Sequence, residues 1–280
     1  MRAVVTEGVR SMALRDVPDP AAPSEGQVLV RPDGVGLCGS DFHFFAGELN
    51  EAAGGGGFPR VQGHEVTGVI DAVGPGCRAE LTPGTRVALM PLSACGACYP
   101  CRIGRPNVCA AFRLIGIHED GGLQERLAMD EGQVHPITAP GPTVAALTEP
   151  VSIAMRAMRR SRLEAGERVV VLGAGPIGQA LSLAAQDRGA DVLLVDLVPR
   201  RLELGRELGA EGVEWTGRDA VVARARDWAG AEGAPVVIDA TGVPNALRAA
   251  VDIAARAGRV VQVGMSPHDY PLRVGDLTEK

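Results

Sequence analysis

From residue 167 onward the chain alternates short apolar runs with amphipathic segments, and few folds accommodate that pattern. ERVVVLGAG, ADVLLVD, a short run near 212–215, APVVIDATG and GRVVQVGM read as strands. PIGQALSLAAQDRG, LVPRRLELGRELG, DAVVARARDWAG and PNALRAAVDIAARAG read as the helices between them. The strands are apolar at successive positions, not at every second one. Both faces must therefore be covered, which predicts a parallel sheet with helices on each side. The first strand–helix junction carries Gly173-Ala174-Gly175-Pro176-Ile177-Gly178, a G-x-G-x-x-G turn in the required place. Gly173 makes the tight turn, Gly175 lets backbone approach a pyrophosphate, and Gly178 lets helix and strand pack closely. The helix opened by Pro176 and Ile177 offers free N–H groups to phosphates. Asp196 ends the next strand, 18 residues after Gly178. Its carboxylate can accept from both ribose hydroxyls and would repel a 2′-phosphate, so NAD is expected over NADP. Arg201 is expected to flank the adenine ribose. Without a ligand the same glycines would make only a tight helical turn.

The first half has another style. VLVRPDGVGLC, HEVTGVIDAVG and TRVALMPL are short β-branched or apolar runs between Gly, Pro and Asp turns. Residues 1–150 are expected to form a β-rich domain and 151–280 the dinucleotide domain. The run 136–142 reads as a Pro-rich joint, 54–57 as a glycine-rich loop, and a helix is expected to begin at Glu149-Pro150. At 280 residues and 46% hydrophobic, the chain can bury two cores, which excludes a disordered chain or a disulfide-stapled miniprotein. Net charge is −6 and the arginines are scattered, so no basic field exists for nucleic acid or anionic lipid. The start lacks a basic-then-apolar leader, and the uncharged stretches 132–148 and 169–186 are broken by Pro and Gly. A soluble cytoplasmic protein is expected, in which cysteines serve metals before disulfides.

Cys95, Cys98, Cys101 and Cys109 have the spacing C-x2-C-x2-C-x7-C, with Gly96, Gly104 and Pro106 allowing the chain to wrap a small ion. Four thiolates suit a closed structural zinc site. Iron–sulfur clusters also use four cysteines, but no other redox-cofactor signal accompanies these. A second constellation is looser. Cys38-Gly39-Ser40-Asp41 and Gly63-His64-Glu65 together supply a thiolate, an imidazole and a carboxylate, all acceptable to zinc. Glu149 adds another carboxylate, although at a helix start it also suits the helix dipole. Taken singly, a buried Cys or His is usually core. Cys77 falls outside both clusters and reads as structural, and His118, His135 and His268 carry no motif.

GLCGSDFH, GHE, CGACYPCRIGRPNVC, TEP and VLGAGPIG, in that order, resemble the zinc-dependent medium-chain alcohol dehydrogenases, in the branch of polyol, sugar-acid and threonine dehydrogenases. The resemblance spans essentially the whole chain. It implies a GroES-like catalytic domain, a Rossmann domain and an active site in the cleft between them. It further implies that Cys38, His64 and Glu65 hold the catalytic zinc, with Glu149 a direct or water-linked ligand. Ser40 takes the position that contacts the substrate alcohol, Asp41 that of the histidine's outer partner, and His43 that of a proton relay to solvent. Thr241 and Val263, at strand ends, are expected near the nicotinamide. The implied reaction is zinc-assisted hydride transfer from a secondary alcohol of a polyol or sugar acid to NAD. An amino alcohol such as threonine is the alternative substrate, and a non-catalytic remnant binding zinc and nucleotide is the alternative role. Zinc-free quinone-reductase relatives fit neither metal cluster.

The family's dinucleotide sheet has six strands, and five are counted here. The ending DLTEK falls where the sixth should begin, so the resemblance implies a chain cut short at its C-terminus. Strand GRVVQVGM is then expected to keep an open edge, and family-like homo-oligomers through that edge come into question.

Overall fold

A computed structural model of the chain describes residues 1–49, 56–266 and 269–278. Residues 54 and 55 of the expected glycine-rich loop, His268 and Lys280 lie outside them. The chain divides into two compact units, Met1–Glu149 and Pro150–Lys280. Among the described residues no helix is long and apolar enough to cross a membrane.

The first unit is built on antiparallel strands. Strand β1 (Arg2–Gly8) lies between β2 (Ser11–Asp16) and β4 (Arg60–Val61). A five-stranded sheet joins β3 (Gln27–Gly36), β5 (Glu65–Val73), β6 (Arg86–Leu89), β9 (Leu127–Asp130) and β10 (Val134–Pro136), in the order β10-β6-β5-β3-β9. Val28 and Val30, Val66 and Ile70, Val87 and Leu89, Leu127 and Met129 are all buried in one cluster. Their even spacing on each strand sends them to a single face, as strand geometry requires. Pro32, which cannot donate, sits at an irregularity of β3 beyond the reach of β9. The register pairs Gly36 with Glu65, which positions the site described below. Short elements complete the unit: α1 (Gly39–Phe45), β7 (Leu92–Ser93), α2 (Tyr99–Arg102), β8 (Arg113–Leu114) and α3 (Pro142–Ala146). The Pro-rich joint thus leads straight into a helix, with Pro142 at the first helical position, where its missing N–H costs nothing.

Helix α4 (Thr148–Ser161) starts at the end of the first unit and runs on in the second, where it leads to β11 (Arg168–Leu172), α5 (Pro176–Gln186), β12 (Asp191–Asp196), α6 (Pro199–Glu207), β13 (Glu211–Glu214), α7 (Arg218–Ala229), β14 (Ala234–Asp239), α8 (Pro244–Ile253), β15 (Ala254–Gln262) and α9 (Val274–Thr278). The sheet is parallel, in the order β13-β12-β11-β14-β15. Val169 and Val171 pack with α4 and α5, whereas Val170 and Leu172 pack with α7 and α8. Each of these four side chains is at most 1% exposed, and each contributes roughly 1.5–3 kcal/mol by leaving water. Two covered faces are the reason the strands read as unbroken apolar runs. Order reverses across β11, the place where open α/β sheets bind ligands.

One expected element needs correction. The helix expected to continue to residue 258 ends at Ile253, and 254–258 are already part of β15. Ala254 pairs with Ala234, and Ala257 adopts φ 59°, so the chain turns back to the sheet at once. Gly233 permits this, because a side chain there would collide with the Ile253 carbonyl. The tail after β15 is pinned to α8 and to the turn before it: Arg248 of the helix pairs with Asp276, and the Tyr270 hydroxyl donates to the Gly242 carbonyl. Among the described residues no strand covers the outer edge of β15.

Candidate active site

Cys38 stands at the N-cap of α1, and Asp41, three residues on, reaches back to it: the Cys38 N–H donates to Asp41 Oδ2 at 2.9 Å. The other oxygen, Oδ1, accepts from the Gly63 N–H at 3.3 Å. Asp41 is buried, and it joins the two loops that carry Cys38 and His64. His64 Nδ1 faces Asp41 Oδ1 at 3.7 Å, too long for a hydrogen bond, and is buried with no hydrogen-bond partner among the described residues. Cys38 Sγ, a His64 ring nitrogen and a Glu65 oxygen lie within 4.8 Å of one another. The register that sets Glu65 opposite Gly36 leaves its carboxylate over that glycine, where a side chain would collide with it.

Electrostatics within this cluster are those of a cation site. Burial alone would lower the basicity of His64, but its hydrogen bond with Cys38 and the charge of Asp41 push its pKa up to about 9. Burial would raise the Cys38 thiol, and hydrogen bonds with His64 and Ser40 outweigh it, leaving the pKa below the ordinary value. Burial holds the Glu65 and Glu149 carboxyls above the usual carboxylate range, opposed by the charge of His64. One soft thiolate, one imidazole and one carboxylate, with an orphaned ring nitrogen beside a carboxylate, fit zinc. Glu149 couples to His64 and Glu65 electrostatically but stands outside the three-ligand group. Ser40 sits against the Cys38 sulfur. His43 lies at the exposed end of α1, its Nδ1 2.5 Å from Glu48 Oε2.

Two polar residues near this site carried no sequence signal. Gln62, buried, donates to the Asp41 carbonyl at 2.9 Å and accepts from Thr6 Oγ1 at 2.6 Å. They tether α1 to the sheet through contacts 21 and 56 residues apart, which no local pattern announces.

The four cysteines Cys95, Cys98, Cys101 and Cys109 do converge, with Sγ···Sγ separations of 3.4 Å (Cys98–Cys101), 3.7 Å (Cys98–Cys109) and 3.5 Å (Cys95–Cys109). Four sulfurs about 2.3 Å from one zinc would stand about 3.8 Å apart, so little movement would be needed. N–H groups of Ala110 and Cys101 take the Cys98 thiol down to about 6. Desolvation and hydrogen bonds with Cys98 and Cys109 push Cys101 up to about 12. The four cannot all ionise unless a cation joins them. Cys77 is separate, its Sγ against the Gln27 carbonyl at 3.3 Å.

In the second unit the expected nucleotide residues gather at the C-terminal ends of the strands. Gly173 has φ 98°, and its N–H donates to the Val195 carbonyl at 2.7 Å. A side chain at Gly178 would strike the Gly173 carbonyl, whereas one at Gly175 would meet nothing within 4 Å. That open ground is where a pyrophosphate could approach backbone. Pro176 and Ile177 form the first turn of α5. Asp196 Oδ2 accepts from the Ala174 N–H at 2.7 Å and Oδ1 from the Val198 N–H at 2.8 Å, with Arg201 Nη1 3.6 Å away. The carboxylate therefore braces the glycine turn itself and keeps spare acceptor capacity. Thr241 donates to the wholly buried Asp239, to which Gln262 also donates, and the Val263 N–H donates to the Asp239 carbonyl. Asp239 thus organises both expected nicotinamide-side residues. Its signal was the IDATG run, where an aspartate meets the turn after a strand.

The alcohol dehydrogenase GroES-like domain family matches residues 24–139, and the zinc-binding dehydrogenase family matches 176–280. The 2-dehydro-3-deoxy-L-galactonate 5-dehydrogenase of Pseudoalteromonas atlantica is 36% identical over 253 residues, 90% of this chain and 72% of that protein. The rspB alcohol dehydrogenase of Escherichia coli CFT073, solved with NADH, is 32% identical with TM-score 0.86, over 99% of this chain and 80% of that one. A zinc-binding dehydrogenase of Sinorhizobium meliloti 1021, solved with NADP, is 30% identical with TM-score 0.90, over 99% and 81%. With both family matches in sequence order and a second unit whose glycine turn suits a dinucleotide, the chain belongs to the zinc-binding alcohol dehydrogenases.

Proposed function

We propose that this chain oxidises a secondary alcohol of a polyol or sugar acid with zinc and NAD. The observation that carries the reading is the convergence of Cys38, His64 and Glu65 beside the Ser40 hydroxyl. The 36% identical relative acts on a sugar acid, which supports the substrate class. Zinc held by Cys38, His64 and Glu65 would supply Lewis acidity to the substrate hydroxyl, and NAD held on the glycine turn would supply the hydride acceptor. The side chains do the remaining work. Ser40 accepts the hydrogen bond of the substrate hydroxyl and hands its proton on. His43, exposed at the helix end, receives it and exchanges it with solvent. Asp41 orients His64, and Glu149 serves as a water-linked or direct oxygen donor. The glycines 173, 175 and 178 cradle the pyrophosphate, Asp196 and Arg201 the adenine ribose, and Thr241 and Val263 the nicotinamide side. Cys95, Cys98, Cys101 and Cys109 hold a structural zinc. We place the protein in the cytoplasm, with a small-molecule alcohol as substrate and neither nucleic acid nor membrane as partner; the family's homo-oligomer stays in question at the uncovered edge of β15.

The test is NAD reduction with a panel of hexonates, polyols and threonine, with zinc measured in the same sample. Reduction with polyols or hexonates and about two zinc ions per chain is expected. Reduction with threonine alone would overturn the substrate class, and no reduction despite full zinc would make the chain a binding protein.

A further inference from the structure

Helix α1 ends in a way that returns the chain onto His43. Gly47 adopts φ 80° just past the helix, its N–H donates to the Phe44 carbonyl, and the Glu48 N–H donates to the His43 carbonyl, both at 2.9 Å. These paired bonds, from the first and second residues past the C-cap Ala46 to carbonyls of the last turn, are the Schellman arrangement, and a glycine is needed at its left-handed position. Val9 packs over Gly47 closely enough that a side chain there would collide with it. Glu48 is therefore held to His43 by its backbone and again by its side chain, Oε2 to Nδ1. Exposed ion pairs between freely moving side chains hold little orientation; here one partner's backbone is anchored to the other residue.

We infer that Glu48 is a positioning residue for the proton relay: its carboxylate holds His43 in the tautomer with hydrogen on Nδ1, leaving Nε2 as the open acceptor. The inference rests on the relay reading of His43 and names what orients it. A carboxylate accepts only, so a neutral imidazole bonded to it must donate from Nδ1 and present a bare Nε2. When a proton arrives at Nε2 the resulting cation stays bonded to Glu48, and the proton leaves from Nε2 to water or buffer. Charge balances without an additional reactant.

Nitrogen-15 NMR of the ring, near pH 8.5 where an ordinary histidine is neutral, reads the tautomer independently of turnover. His43→Gln identifies its resonances. We expect hydrogen on Nδ1 in the wild-type protein and in Glu48→Gln, whose amide oxygen still accepts. Glu48→Ala should shift the ring toward hydrogen on Nε2. In turnover, Glu48→Ala should lower kcat about tenfold, part of the hundredfold that a positioned acid–base group supplies, with KM unchanged and with recovery in imidazole buffer. Hydrogen on Nε2 in the wild-type protein, or no change in Glu48→Ala, would overturn the inference. A loss in His43→Ala without one in Glu48→Ala would overturn it too and leave the relay standing. No loss in His43→Ala would overturn the relay reading itself.

Discussion

Cys38 carries two duties at one position, since its backbone N–H closes the start of α1 on Asp41 while its sulfur joins His64 and Glu65. A serine there keeps the helix start but removes the thiolate. Cys38→Ser is expected to abolish turnover and lower the zinc content from about two ions to about one, with α1 intact by circular dichroism; retention of both ions would contradict the ligand assignment. Asp196 is likewise double, because the oxygens proposed to read the ribose already accept from Ala174 and Val198. Asp196→Ala should weaken NAD, relax discrimination against NADP, and cost about 1–3 kcal/mol by stranding a buried N–H. Titration with both cofactors and thermal unfolding measure these separately, and a wild-type preference for NADP would refute the role.

At the scale of elements, the cysteine lobe and the tail are held by different forces. The lobe around Cys95, Cys98, Cys101 and Cys109 has short helices and mostly exposed or half-exposed cysteines, so the metal proposed there would supply much of its order. Metal binding supplies ~10 kcal/mol of folding free energy in small zinc modules. Cys98→Ser should therefore lower the unfolding temperature and cost one zinc; a variant as stable as wild type yet inactive would reverse the assignment. The tail is held by charge. Hydrogen bonds from Arg248, against a smaller desolvation effect, hold the Asp276 pKa down at about 2. Because the folded-state value is depressed, the pull of Asp276 is present above about pH 4 and fades as pH falls toward 2. Asp276→Asn should expose residues 269–278 to hydrogen exchange at neutral pH as acid does to the wild type; unchanged protection would show that Tyr270 and packing suffice.

At the scale of the molecule, β15 presents a strand edge that no other described strand covers, with Val260 38% exposed along it. Unpaired N–H and C=O groups beside an apolar side chain invite pairing. Concentration-dependent association is expected in sedimentation, and Val260→Lys should weaken it; equal association in both would place the contact elsewhere.

The parallel sheet, its covering helices, the glycine turn and the cysteine quartet were legible in the sequence because each is encoded by local period or short spacing. The helix over 244–253 was legible in kind but not in length. Nothing local in AARAG forbids a helix; its pairing with Ala234 does. Cys38, His64 and Glu65 were named together from residue type and resemblance, but no local pattern holds them together: it takes the register of β3 against β5 to bring Glu65 over Gly36. Tertiary structure alone recruited Thr6 and Gln62 behind Asp41, and it alone seated Asp239 beneath Thr241 and Gln262. Residue types announce which chemistry is available, because ligand preference belongs to the side chain. Distances between residues far apart in the chain are set by packing and register, which no short window of sequence contains.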